Sequence, residues 1–186
     1  LNKTSNTFVA NANIFGKVYF PRLILPISIV VSNLLKFGIQ FMLFIVFLIY
    51  FYLNGYDLQP NYYMFLLPYL LFLMAGLGLG FGILISSLTT KYRDFQFLLI
   101  FGVQLFMYAT PIVYPLSLAK EKLGSYSWVT LANPMTSVIE TFKYAFLGRG
   151  EFSWLNLGYS TLVMIVLLFL GTLTFNKVEQ TFMDTV

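Results

Sequence analysis

The stretch LTTKYRDFQFLLIFGVQLFMYATPIVYP, residues Leu88–Pro115, indicates the fold class of this chain. Three charged residues, Lys91, Arg93 and Asp94, precede a run that carries no further charge until Lys120. An α-helix rises about 1.5 Å per residue, so about 20 such residues cross a hydrocarbon core of about 30 Å. The stretch therefore predicts a charged turn followed by a helix that spans a membrane.

The far end of the same stretch predicts where that helix leaves the membrane. Tyr114 lies between Pro111 and Pro115. Prolines end helices because their nitrogen carries no hydrogen and their ring clashes with the preceding turn, and tyrosine is enriched at membrane interfaces. We therefore expect a multi-pass membrane protein that is entirely α-helical.

The composition supports a membrane protein and disfavours an enzyme. Hydrophobic residues make up 59% of the 186 residues and charged residues 10%, against about a quarter in a soluble domain. The sequence contains no cysteine and no histidine, which excludes disulfides, thiol nucleophiles and the usual zinc and haem ligands. No catalytic or metal-binding residue is predicted. The basic residues form no block with interleaved aromatics, so nucleic acid is not an expected partner.

Four apolar stretches are long enough to span a bilayer, and the basic residues orient them. We place the spans at 24–53, 62–89, 95–116 and 153–176, followed by a tail at 177–186. This arrangement puts seven of the eleven basic residues on one side: Lys3, Lys17, Arg22, Lys36, Lys91, Arg93 and Lys177. By the positive-inside rule this side is predicted to be cytoplasmic, with both ends of the chain on it.

The segment 120–151 has too many charges for a simple span. Pro134 divides it into two pieces, each about the length of a short helix. After Met135, five apolar residues recur at helical spacing: Val138, Ile139, Phe142, Ala145 and Phe146. Glu140 and Lys143 are expected to lie off that apolar face. The residues alone leave two interpretations open, two short helices in the outer leaflet or an ordinary interfacial loop.

Glycines alternate inside the second predicted span: Gly76, Gly78, Gly80 and Gly82. Pairs of small residues four positions apart let helix backbones approach closely. We predict close helix packing within one subunit, ahead of a dimer contact or a flexible point for gating. The glycines are not a dinucleotide fingerprint, because the GxGxxG spacing is unmatched and no strand precedes them.

Two features on the predicted cytoplasmic side each allow two interpretations. Arg93 and Asp94 are either topogenic charges at a helix start or a contact with a cytoplasmic partner. The segment 8–19 is amphipathic and too short to span, which suits either an interfacial anchor or a plug for a soluble partner.

Taken together, these segments resemble the permease subunits of ABC-2 type exporters that export O-antigen-like or teichoic-acid-like polysaccharides. The stretches that carry the resemblance are NANIFGKVYFPRLILPIS (Asn11–Ser28), TKYRDF (Thr90–Phe95), ATPIVYP (Ala109–Pro115), NPMTSVIETFKYAFLGRG (Asn133–Gly150) and FNKVEQTFMDTV (Phe175–Val186). Their order and spacing cover nearly the whole chain. The resemblance implies the transmembrane domain of a type V ABC exporter, with this chain supplying the last four of six spans.

By this resemblance, two further parts accompany the four spans. The segment 8–19 would be a cytoplasmic coupling helix that docks on an ATPase subunit, with these candidate residues: Asn11, Asn13, Ile14, Lys17 and Tyr19. Arg93 and Asp94 become a candidate cytoplasmic contact. The segment 120–151 would form two short re-entrant helices of a periplasmic gate, with these gate residues: Tyr126, Trp128, Pro134, Glu140, Phe142 and Tyr144.

The implied function is that of a permease subunit in an ATP-driven exporter, which moves a lipid-linked polysaccharide across the bacterial inner membrane. Two permeases would form a homodimeric channel served by separate nucleotide-binding ATPase subunits. This chain would bind no cofactor, and ATP and Mg²⁺ would belong to the ATPase, in agreement with a sequence that contains no GxxxxGK[ST]. Alternatives are an ABC-2 permease for a drug or another lipid, a passive channel, and a membrane enzyme that acts on lipid-linked sugars through Glu140, Glu151 and Asp57.

Overall fold

The computed structural model describes residues 24–91, 95–112, 114–124 and 128–183. Regular structure in these residues is helical throughout: α1 Ile24–Leu53, a 3₁₀ helix Tyr62–Leu66, α2 Leu67–Lys91, α3 Phe95–Ala109, α4 Leu116–Leu123, α5 Trp128–Ala132, α6 Pro134–Leu147 and α7 Trp154–Met183. The predicted all-α fold is confirmed. The predicted coupling segment 8–19, Arg93, Asp94 and Tyr126 lie outside the described residues.

Within the described part of the chain, three helical stretches are long and apolar enough to cross a membrane: Ile24–Leu53, Tyr62–Thr89 and Trp154–Lys177. They coincide with the first, second and last predicted spans. Helix α7 has 30 residues and continues to Met183. Most of the segment predicted as a tail from residue 177 is therefore a continuation of this helix.

The third predicted span contains a shorter helix than expected. Helix α3 has 15 residues and ends at Ala109, well before the predicted end of the span at residue 116. Thr110 precedes Pro111, and a residue before proline is disfavoured in the α conformation. The first proline of the exit therefore stops the helix inside the predicted span. That the segment 95–116 crosses the membrane stays a prediction.

Helix α1 ends at Leu53, and a glycine, Gly55, follows two residues later. Gly55 has φ 77°, in the left-handed region where a residue without a side chain is not strained. Its N–H donates to the Tyr52 carbonyl oxygen at 3.3 Å, and the side chain of Asn54 donates to the Tyr50 carbonyl oxygen at 2.8 Å. The bond from Gly55 occupies a carbonyl that the last helical turn would leave without a partner, and the Asn54 side chain adds a second donor to the Tyr50 carbonyl oxygen, which also accepts from the Asn54 N–H at 3.1 Å.

The chain divides into two compact units by its internal contacts. One unit comprises Leu1–Ser32, Ala75–Leu105 and Leu162–Val186, and the other comprises Asn33–Met74 and Phe106–Thr161. In the described part of the first unit, α2 packs on α7. In the described part of the second unit, α6 contacts residues of α1, the 3₁₀ helix, α5 and α7, and also Pro111, just after the end of α3.

In the first unit, two of the four predicted glycines bring α2 against α7. A Cβ on Gly80 would lie 3.0 Å from Leu167 Cβ and 3.1 Å from the Leu167 carbonyl carbon. A Cβ on Gly76 would overlap the Met164 side chain. Gly78 differs, because a Cβ built on it would meet nothing within 4 Å.

The prediction of close packing is therefore wrong for Gly78, and helical geometry supplies the reason. Residues four apart share one helix face, whereas residues two apart point about 200° away from each other. Gly76 and Gly80 share the face that meets α7, and Gly78 lies on another side of α2. Gly82 is buried.

In the second unit, an aromatic cluster joins α1 to α6. The ring of Phe41 is 5.6 Å from the ring of Phe146, and the ring of Phe44 is 5.4 Å from that of Phe142. Phe146 is 2% exposed, and Val138 and Ala145 of the same helix are also buried. Aromatic pairs at such distances add about 1 kcal/mol each beyond the area that they bury. The apolar face predicted for the segment after Met135 therefore packs against other helices.

The segment 120–151 is helical, and it contains more helices than the two predicted. The piece after Pro134 forms the single helix α6, as the spacing of its apolar residues indicates. The piece before Pro134 is divided between α4, which begins at Leu116, and the five-residue α5. Gly124, with φ 48°, follows α4 and suits a chain that turns there. The alternative of an ordinary loop is therefore wrong.

Candidate functional site

Helix α6 is positioned by signals in its own sequence. Asn133 is its N-cap, and the side-chain oxygen accepts a hydrogen bond from the Met135 N–H at 3.0 Å. Pro134 follows in the first turn, where a missing N–H leaves no bond unmade. Gly148 ends the helix with φ 67°. A Cβ on Gly148 would lie 2.7 Å from Gln59 Cβ, so this glycine also permits a close approach of the loop before the 3₁₀ helix.

An ion pair lies on α6, between Glu140 and Lys143. The distance from Lys143 Nζ to Glu140 Oε1 is 3.1 Å, and the Glu140 side chain is only 4% exposed. Lys143 also donates to the carbonyl oxygen of Pro111, just beyond the end of α3. The backbone N–H of Glu151 donates to Glu140 Oε2 at 3.3 Å. The pair thus joins α6 both to the end of α3 and to the loop before α7.

Glu140 was expected to lie off the apolar face of α6, and the structure shows in addition that it is buried. Helix α6 is covered on more than one side, so a residue outside its apolar stripe is also buried. Burial of a carboxylate is tolerated when each oxygen has a donor, as both have here. Gly150 contributes because a Cβ on it would lie 2.8 Å from the Glu140 carbonyl oxygen, and its φ of 130° suits glycine.

A second set of polar contacts holds the start of α6. The Asn133 side-chain amide donates to Thr110 Oγ1 at 2.8 Å, which ties the N-cap to the end of α3. The Ser160 hydroxyl of α7 donates to the Pro134 carbonyl oxygen at 2.7 Å and lies 2.6 Å from the Ser137 hydroxyl. Both ends of α6 are therefore tied to the end of α3 and to the region where α7 begins.

The predicted gate residues within the described chain have different environments. Pro134 and Glu140 are buried, and Phe142 is half-buried in the cluster with Phe41 and Phe44 described above. Tyr144 is also half-buried, and its ring lies 5.4 Å from that of Tyr63 and 5.9 Å from that of Phe152. Trp128, in α5, is 63% exposed. Four of the gate residues thus lie on α6; the contacts of Phe142 and Tyr144 are aromatic packing contacts, whereas those of Glu140 are an ion pair and a hydrogen bond.

Several residues that position α6 were not predicted from the sequence. Asn61 is one example: its N–H donates to the Ala145 carbonyl oxygen at 3.1 Å, and its side chain donates to the Tyr144 carbonyl oxygen at 3.0 Å. Asn133 could have been found, because an asparagine before a proline is a helix-start signal. No local signal indicates the bond from Lys143 to Pro111, since the two residues are 32 positions apart in the chain.

A polar cleft opens beside α6, within the second unit. It encloses about 310 Å³ when the part open to solvent is counted. One wall is formed by α6, with Thr136, Ser137, Glu140 and Thr141. The opposite wall comes from the loop before α7 and the first turn of α7, with Glu151, Ser153 and Asn156. Leu116 and Leu131 complete the lining.

Among the described residues, no group of three or more His, Cys, Asp and Glu side chains is arranged to hold a metal ion. Of the three carboxylates considered for an enzyme, Glu140 and Glu151 line the cleft, whereas Asp57 is not among the lining residues. Asp57 is exposed, and its Oδ1 accepts a hydrogen bond from the Gln59 side chain at 3.2 Å. The structure therefore does not bring the three carboxylates together in that cleft.

Comparison with known families decides the class of this membrane protein. Residues 1–147, which include α1 to α6, match the sequence profile of the family described as ABC-2 type transporter. The chain belongs to this family. The suspected membership of the ABC-2 family is thereby confirmed.

Relatives of this ABC-2 type transporter chain carry a more specific name. Two O-antigen export system permease proteins RfbA of Klebsiella pneumoniae are each 29% identical to it over 180 residues. The alignment covers 96% of this chain and 66% of each of those proteins. An O-antigen export system permease protein RfbA of Myxococcus xanthus is 27% identical over 134 residues, which are 72% of this chain and 49% of that protein. The chain thus spans slightly less than two thirds of the Klebsiella relatives.

Proposed function

We propose that this ABC-2 type transporter chain belongs to the permease of an exporter that moves a lipid-linked polysaccharide across the bacterial inner membrane. The observation that carries the proposal is the alignment of nearly the whole chain with O-antigen export permeases. Three helical stretches long and apolar enough to span a membrane, found within the described residues, also support a role in passage across a bilayer.

In this proposal, free energy enters through a separate ATPase subunit that binds ATP and Mg²⁺. The contact on the permease is the segment 8–19, through Asn11, Asn13, Ile14, Lys17 and Tyr19, and Arg93 and Asp94 form a further cytoplasmic contact. The excess of basic residues on that side supports a cytoplasmic location. Two permeases form a homodimer, and the polysaccharide passes between them.

The contacts of α6 support its role in a periplasmic gate. The ion pair and Asn133 link this helix to the end of α3, and Ser160 links it to α7. A displacement of either neighbour therefore strains bonds at both ends of α6, so a small shift of a span moves the helix or breaks those bonds. Such an element responds in discrete steps, because packed helices have few alternative arrangements.

Complementation tests the proposed function. The whole permease and its ATPase are expressed in a bacterium that lacks its own O-antigen permease, and surface polysaccharide is measured on intact cells with an antibody. We expect surface polysaccharide only when both subunits are present. An ATPase whose Walker-motif lysine is replaced should abolish it, because phosphate binding depends on that lysine.

The same experiment separates the substrate alternatives. Polysaccharide that is made but stays inside cells with both active subunits would contradict the proposed substrate. In that case, purified complex whose ATPase activity rises with a drug or another lipid would identify a different ABC-2 cargo. Surface polysaccharide without any ATPase would instead indicate a passive channel.

A further inference from the structure

Four aromatic rings form a continuous row in the second unit, from the start of the 3₁₀ helix to the start of α7. The ring centroids of Tyr62 and Tyr63 are 4.4 Å apart, and those of Tyr63 and Phe152 are also 4.4 Å apart. The ring of Phe152 is 5.0 Å from that of Trp154. We call these four residues the aromatic ladder. Its inner rings are half-buried, whereas Tyr62 is 71% exposed and Trp154 is 63% exposed at its two ends.

The two ends of the aromatic ladder are the first residues of two apolar helical stretches. Tyr62 begins the stretch Tyr62–Thr89, and Trp154 begins the stretch Trp154–Lys177. These stretches coincide with the second and last predicted spans, and the basic residues of the sequence place their starts on the predicted periplasmic side. The ladder therefore lies where two predicted spans begin.

The exposed residues change from charged to apolar across the aromatic ladder. Asp57 and Arg149 precede it in the sequence, and both are exposed. Phe65 and Leu155 follow it, and they are 90% and 86% exposed. An exposed charge is stable in water, whereas exposed apolar side chains of this size are stable in hydrocarbon. The boundary between water and hydrocarbon therefore falls at the ladder.

Helix α1 shows the same change at its outer end, which belongs to the same unit. Val46 is exposed and apolar, and exposed tyrosines follow in the last turn of the helix, at Tyr50 and Tyr52. The next charged residue along the chain is Asp57. A third predicted span thus passes from apolar residues through aromatic rings to a charge.

The chemistry of the exposed rings selects the partner of this surface. Tyrosine and tryptophan each combine a flat apolar ring with one polar group, a hydroxyl or an indole N–H. At the surface of a bilayer, the ring contacts the acyl chains while the polar group bonds to water or to a lipid headgroup. A lipid layer also offers a polar zone to Asp57 and Arg149 and an apolar zone to Phe65 and Leu155.

We propose that the aromatic ladder lies among the phospholipid headgroups of the outer leaflet and holds the starts of the 3₁₀ helix and α7 at one depth in the bilayer. The partner is the lipid interface itself, so the inference goes beyond the proposed function and does not depend on the exported cargo. Tyr144 extends the effect to α6, because its ring lies 5.4 Å from that of Tyr63 and 5.9 Å from that of Phe152. The C-terminal end of α6 is thereby tied to the ladder.

Fluorescence quenching by brominated lipids tests the depth of the aromatic ladder. The whole permease is reconstituted with its ATPase in phosphatidylcholine vesicles that contain a lipid brominated either near the headgroup or near the chain ends. The signal of Trp154 is the difference between the wild type and Trp154→Phe. We expect the lipid brominated near the headgroup to quench Trp154 about twofold more strongly, because about 15 Å, half of the hydrocarbon core, separates the interface from the chain ends.

Two further reporters, both in the Trp154→Phe background, probe the other end of the ladder and the middle of a span. Tyr62→Trp should give the same preference as Trp154, because the two ends are proposed to share one depth. Ile39→Trp is the matched control, since Ile39 is exposed on α1 and lies about 16 Å before Tyr50 along the helix. There, the lipid brominated near the chain ends should quench more strongly. The thermal unfolding midpoint of each variant shows whether it is folded.

Three results for Trp154 would overturn the proposal: equal quenching by the two lipids, stronger quenching by bromine near the chain ends, or no quenching by either. Opposite preferences at Trp154 and Tyr62→Trp would refute the shared depth. Surface polysaccharide in the complementation strain is a separate measurement. A wild type that exports polysaccharide with Trp154 away from the interface refutes the ladder assignment alone, and a wild type that exports none with Trp154 at the interface refutes the proposed function alone.

Discussion

At the scale of single residues, the ion pair between buried Glu140 and half-buried Lys143 helps to determine how α6 is held. Each charged group also makes a hydrogen bond outside the pair: Glu140 accepts from the Glu151 N–H, and Lys143 donates to the Pro111 carbonyl oxygen. A buried pair contributes little net stability compared with an apolar replacement, but removing one partner leaves a charge in a poorly solvated place. A single variant at Lys143 and a double variant at both positions should therefore differ in their free energy of unfolding.

Replacing Lys143 by methionine should lower the free energy of unfolding by about 3 kcal/mol, because Glu140 keeps its charge without its counterion. The double variant Glu140→Gln/Lys143→Met should be more stable than Lys143→Met alone, because neither charge then remains. The measurement is an SDS titration of the purified permease followed by tryptophan fluorescence.

The matched control is Lys122→Met, which changes an exposed lysine of α4 and should shift stability by no more than about 0.5 kcal/mol. A double variant that is less stable than Lys143→Met would contradict this expectation. It would show that a neutral glutamine amide at position 140 destabilises the fold more than the unpaired carboxylate of Glu140 does.

At the scale of helices, small residues decide how closely α2 approaches α7. In the membrane, helices gain little from the hydrophobic effect when they associate, so close backbone packing becomes the main attraction. Gly80 provides that approach: a Cβ on it would be 3.1 Å from the carbonyl carbon of Leu167 and from the backbone nitrogen of Leu168. The backbone of a helix cannot yield locally, so the whole contact must open.

Alanine at two neighbouring glycines tests this packing. Gly80→Ala should be less stable than the wild type by about 2 kcal/mol, as expected for overpacking at a tight contact. Gly78→Ala should be as stable as the wild type or more stable by up to about 1 kcal/mol, because alanine favours the helix and its Cβ meets nothing within 4 Å. Thermal unfolding in detergent compares the two, and equal losses would show that Gly80 does not support the contact.

At the scale of the whole molecule, transport requires a link between the permease and its energy source. The proposed link is the amphipathic segment 8–19, whose position on the basic side of the chain supports contact with a cytoplasmic ATPase. The absence of cysteine from the sequence makes this link accessible to directed cross-linking.

We expect a permease that carries Asn13→Cys to be joined by a bis-maleimide reagent to an ATPase subunit that carries an engineered cysteine on its membrane-facing surface, with the product detected by gel shift. The matched control is Asn54→Cys, which lies in the turn after α1 and on the predicted periplasmic side, and it should give no such product. If Asn13→Cys, Lys17→Cys and further positions along 8–19 all fail to cross-link, the coupling assignment is wrong.

Local sequence signals were sufficient to predict the all-helical fold class and the family, and three of the four predicted spans coincide with long apolar helical stretches among the described residues. The signal for these spans is the length of charge-free apolar runs, and further local signals, such as Asn133 before Pro134 and the glycines Gly55 and Gly148 just beyond helix ends, were present in the sequence but were not used. Each signal depends on residues that are close together in the sequence, so it can be recognised without knowledge of distant parts of the chain. Pro111 shows the limit of this approach, because the first of the two exit prolines already stops α3.

Tertiary contacts, in contrast, were needed to establish which of the singled-out residues are buried and what they bind. The apolar pattern of α6 did not indicate that Glu140 is buried, and the prediction of close packing was wrong for Gly78. The bonds of Lys143 to Pro111 and of Asn61 to Tyr144 join residues 32 and 83 positions apart. The burial of a side chain and its hydrogen bonds to distant residues depend on which helices pack together. The periodicity of apolar residues within one helix does not indicate which other helices pack against it.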